Sequence, residues 1–73
     1  MTITMNDVKE FVEQILRQAK RASSADMVIN CRAQAFGVIM FAQNFLPYEE
    51  LRKYWEDDGV WYKFNDIARE KSR

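Results

Sequence analysis

Apolar side chains recur along the first third of the chain as Val8, Phe11, Val12, Ile15, Leu16 and Ala19. That i, i+3, i+4, i+7 spacing is one stripe of an amphipathic helix, and it predicts a helix over about residues 5–22. Thr4 is the expected N-cap, with Asp7 three residues on in the capping-box position and Ile3 facing Val8 as a hydrophobic staple. Asn6 is the competing cap. On the outer face Glu13 precedes Arg17 by four residues, the favourable order for a surface pair. Lys20 and Arg21 suit the negative end of the helix dipole.

Ser23 and Ser24 break this pattern, and either can cap a second helix. Nothing from Ala25 to Phe45 stops that helix except Gly37, which predicts a long central helix over about residues 24–45. Its pattern differs from the first. Cys31, Ala35, Val38, Ala42 and Phe45, widened by Met27, Val28 and Ile39, form one apolar stripe. Ile29, Ala33, Phe36 and Met40 form a second, on a roughly opposite side. Arg32 with Gln43, and Asn30 with Asn44, are thin polar lines between the two. A helix apolar on two faces needs two things to pack against.

Leu46-Pro47 ends the central helix, because the residue before proline avoids the helical region. Pro47 opens a third helix, with Glu49 and Glu50 at its positive end. Tyr48, Leu51 and Trp55 then share an inward face, while Glu49–Lys53 and Arg52–Glu56 are outer pairs. Asp57-Asp58-Gly59 predicts a turn, with Asp57 or Asp58 capping the next helix. Trp61, Phe64, Ile67 and Ala68 resume helical spacing to about Glu70, and Lys71-Ser72-Arg73 is expected to fray. The expected fold is all-α: one helical domain over residues 1–73, a three- to four-helix bundle whose C-terminal helix is broken.

Length makes that pattern consequential. A chain of 73 residues buries only about 60% of the surface that its unfolded form exposes. Below about 80 residues a core seldom supplies more than about 3–5 kcal/mol unless disulfides, a metal, regular packing or association add to it. One cysteine and no histidine exclude a disulfide framework and structural zinc. With 48% apolar residues, the chain is also too hydrophobic to be disordered. Its longest run free of polar side chains, Ala35 to Ala42, falls far short of a membrane span. No basic segment leads into an apolar one at the N-terminus, so no signal peptide and a cytoplasmic location are expected.

Candidate chemistry is sparse. Cys31 lies within an apolar stripe without a basic partner and reads as a small core hydrophobe. Glu56, Asp57 and Asp58 stand consecutively, where adjacent side chains do not converge on one ion, so no metal site is expected. Arg17, Lys20 and Arg21 make a basic cluster, yet eleven basic residues balance eleven acidic ones, which argues against a nucleic-acid surface. No nucleophile–base pair or glycine-rich phosphate loop is present, so neither an enzyme nor a cofactor is expected. The expected function is a non-enzymatic interaction module that homodimerises through Ile29, Ala33, Phe36 and Met40. The alternative is a small regulator that docks on another protein or nucleoprotein assembly through its aromatic C-terminal segment. Tyr54 and Tyr62, expected off the inward face, are then the contact residues.

Overall fold

A computed structural model describes residues 2–72. It is all-α, with α1 over Met5–Arg21 and α2 over Ala25–Ala42. A short α3, Tyr48–Arg52, runs directly into a π-helical turn, Lys53–Asp57, and α4 spans Val60–Lys71. The last two helices therefore form one bent arm.

Local chemistry sets most of these boundaries. The Thr4 hydroxyl accepts from the Asp7 N–H at 3.2 Å, and the Asp7 carboxylate accepts from the Thr4 N–H at 2.9 Å. This reciprocal box satisfies two donors that a helix start leaves free. Ser24 Oγ accepts from the Met27 N–H at 3.3 Å and starts α2. At the other end α2 stops at Ala42, three residues short of the sequence expectation. There the backbone tightens into a turn, with the N–H groups of Phe45 and Leu46 both donating to the Ala42 carbonyl at 2.9 Å. Asn44 donates to the Phe41 carbonyl both from its backbone N–H at 3.1 Å and from Nδ2 at 3.0 Å, so a side chain reinforces the last turn.

The helices share one core. Val12, Val28, Leu51 and Phe64 are its largest fully buried side chains, drawn from all four helices. Ala19, Ala35 and Ala42 are buried as well, and their small side chains let neighbouring helices approach closely. α2 packs against α1 on one flank and α4 on the other, while α1 and α4 meet over less. The Cα trace measures 40 × 23 × 15 Å. Two helix axes about 8–10 Å apart already take up the shortest of these dimensions.

The bent arm departs from the α-helical reading. The Asp58 N–H donates to the Lys53 carbonyl at 2.8 Å, the i→i+5 bond of a π-turn. A wider turn carries fewer degrees per residue, so the neighbours Tyr54 and Trp55 both face the core. Tyr48, expected inward, is exposed instead. Nor does Asp57 or Asp58 cap α4. Gly59 takes the N-cap position at φ 79°, a left-handed conformation that glycine adopts without steric cost, and no side chain caps the helix. The helix also continues past the expected fraying point. Lys71 Nζ donates to the Lys20 carbonyl at 2.9 Å, joining the C-terminal turns of α4 and α1. Arg73, the last of the expected tail residues, lies outside the described residues.

Candidate interaction surface

The outer side of α2 is the surface that the fold leaves uncovered. Val28, Ala35, Ile39 and Ala42 point into the core, with Cys31 and Val38 half-buried at its edge. At about 100° per residue, Ile29, Ala33, Phe36 and Met40 lie about 120° around the helix from that set. All four are exposed, and the three large ones are 42–48% exposed. The second apolar stripe is thus gathered on one outward face. No charged residue occurs between Ala33 and Tyr48 to solvate it.

Arg32 illustrates why. It is one of two charged residues in α2, and it turns toward α4. Its NH1 donates to Asn65 Oδ1 at 2.6 Å, and its guanidinium lies 4.4 Å from the Trp61 ring centroid. That cation–π contact fixes the α2–α4 seam. It also takes Arg32 away from the basic cluster on α1.

Sequence reasoning missed a second apolar feature beside this face. A groove of about 680 Å³ runs between the N-terminal half of α1 and the C-terminal half of α2. Ile3, Val8 and Phe11 form one wall, and Gly37, Val38 and Phe41 the other. Phe11, expected within the buried stripe, is exposed here, as is Phe41. Phe41 belongs to neither stripe of α2, and an aromatic residue standing outside both was the signal that could have found the groove.

The two tyrosines separate. Tyr62 is 63% exposed, whereas Tyr54 is only 6% exposed, which corrects the expectation that it lies off the inward face. The π-turn is the physical reason. Tyr54 Oη is buried without a hydrogen-bond partner, the only such side-chain atom among the described residues. Burial pushes its phenol up to about 12, and the carboxylates of Glu13 and Asp58 add to the rise. Lys9 Nζ lies 5.6 Å from the Tyr54 ring centroid.

Around Trp55 the aromatic rings form a cluster. Phe36 lies 5.9 Å from it, Trp61 5.7 Å and Phe64 6.1 Å, centroid to centroid. Phe36, Trp55, Trp61 and Tyr62 line a cup of about 550 Å³, with Glu56 and Asp57 completing its lining. Among the described residues no group of three or more His, Cys, Asp or Glu could hold a metal ion. Among them, too, no helix is long and apolar enough to cross a membrane. No family model matches the chain, and neither a curated protein nor a solved structure is detectably similar to it.

Proposed function

We propose that the chain is a non-enzymatic helical module that acts as a homodimer, joined through the outer face of α2. One observation carries this reading: Ile29, Ala33, Phe36 and Met40 stand exposed together on the helix that is apolar on both sides. A contiguous apolar face of this kind is the ordinary mark of an association surface. Closed two-fold pairing is the commonest arrangement for a small protein, and it places the same face of both copies in contact. In that arrangement Ala33 permits close approach, while Phe36 and Met40 supply the area to be removed from water.

Size-exclusion chromatography with light scattering is the direct test. A particle of twice the 8.7 kDa chain mass is expected at high micromolar concentration. A sharp peak at the mass of one chain overturns the dimer. The docking reading rests on a different observation, Tyr62 standing exposed beside the aromatic cluster. Tyr62→Ala, with helicity unchanged, separates the two readings: it weakens docking on another protein and leaves a dimer through α2 intact.

A further inference from the structure

We infer that the cup formed by Phe36, Trp55, Trp61 and Tyr62 is a binding site for an organic cation, an alkylammonium group carried by a small molecule or by a lysine side chain. Phe36 belongs both to this cup and to the proposed α2 dimer face, so the two are coupled through that one ring.

Two observations converge on a cation. The first is aromatic density. Four aromatic residues from α2, the π-turn and α4 line one cup of about 550 Å³, and their rings carry negative potential on their faces. The second is charge. Besides the Tyr62 phenol, the only ionisable groups lining the cup are the carboxylates of Glu56 and Asp57. Arg52 reaches Glu56 at 3.3 Å, but both side chains are about half-exposed, so the pair is weak, and among the described residues Asp57 has no such partner. Arg32 limits the site: its guanidinium already lies over Trp61 at 4.4 Å and repels a second cation, so the ligand relies on the other rings and on the two carboxylates.

The fold explains how such a cup arises. Trp55, Glu56 and Asp57 all come from the π-turn. That wide turn seats the Trp55 ring in the core beside Phe64 and leaves the next two carboxylates outside. Gly59 then bends the chain, and Trp61 and Tyr62 complete the lining. π-turns recur at functional sites for this reason, since they aim side chains where a regular helix cannot.

The test is an NMR titration of the two tryptophan indole N–H signals, at constant ionic strength. Choline chloride and Nε-trimethyl-lysine are the cationic probes, and 3,3-dimethylbutan-1-ol is the neutral isostere of choline. Saturable shifts are expected with at least one cation, at a Kd on the order of 1–10 mM for so open a site. The neutral alcohol should bind at least about fivefold more weakly. Asp57→Asn and Tyr62→Ala, both at exposed positions, should each weaken binding about two- to fivefold. Arg52→Gln should instead tighten it by a similar factor, because it frees Glu56. Equal binding of the alcohol, shifts reproduced by sodium chloride, or no response to either cation overturns the proposal. So does an unchanged Kd in both Asp57→Asn and Arg52→Gln.

Discussion

α1 and α2 are nearly equal in length and bury comparable apolar faces, five residues from the first and four from the second. Their other sides could hardly differ more. α1 carries Lys9, Glu10, Glu13, Arg17, Lys20 and Arg21 on exposed positions. On α2 the exposed positions include Ile29, Ala33, Phe36 and Met40 beside Asn30 and Gln34, with Asp26 the one exposed charge. Burial on one side therefore does not distinguish them, and the chemistry of the side facing water does. A helix that has finished packing keeps charges outside, whereas one that has not keeps hydrophobes there.

The contrast can be broken from the inside first. Ala35 is fully buried on the inner face of α2, and Ala35→Glu would place an unpaired charge in the core. The cost of several kcal/mol exceeds what a core of this size holds, so helicity by circular dichroism should be lost at about 25 °C. A folded Ala35→Glu would show that this face is not the packed one. Met40→Glu, on the outer face, is expected to leave the helices intact and convert the dimer to a monomer in light scattering. If it unfolds the protein instead, the outer face is part of the core. If mass and stability are unaffected, the α2 dimer is wrong.

Tyr54 sharpens the comparison where α1 meets the bent arm. Tyr54→Phe removes a buried hydroxyl that has no partner and should stabilise the fold by about 1 kcal/mol in urea unfolding. The phenol titrates at about 12 in the folded protein, above its ordinary value of 10.0. A group of that kind contributes stability that is present below pH 10 and is lost as the pH rises through 12. The full difference corresponds to at most about 2.7 kcal/mol. Wild-type protein should therefore lose stability more steeply than Tyr54→Phe above pH 10. Parallel pH profiles would place the hydroxyl in water. The smallest effect is expected on the outer side of α1. Glu13 and Arg17 do not form an ion pair in the structure, so Arg17→Gln should change stability by less than about 0.5 kcal/mol in the same urea unfolding.

How much of this could be read from the sequence depends on the range of the interactions. Thr4 with Asp7, and Ser24 with Met27, are contacts over three residues, and the capping pattern exposed both in advance. The inner face of α2 was legible in part. Val28, Ala35, Ile39 and Ala42 turn inward as periodicity requires, whereas Met27 and Phe45, expected in the same stripe, are exposed at the two ends of the helix. Tyr54 was misplaced because the π-turn changes the angular step, and nothing in Lys53–Asp57 announces it. Packing of Trp55 against Phe64 accompanies that turn, a contact between helices that no local pattern records. Phe11 failed for a related reason. Periodicity gave its direction but not whether a neighbour reached that far, and an open groove lies there instead.

The π-turn has a further consequence, for changes in chain length. Deleting one residue from a regular helix rotates everything beyond it by about 100° and scrambles the buried face. Lys53–Asp57 already holds one residue more than an α-helical turn requires. Removing the exposed Lys53 would let an ordinary i→i+4 ladder close across the gap while Leu51 and Phe64 keep their places. The joint is thus a point within the helices where this small bundle can absorb a single-codon deletion, at the expense of the cup it builds.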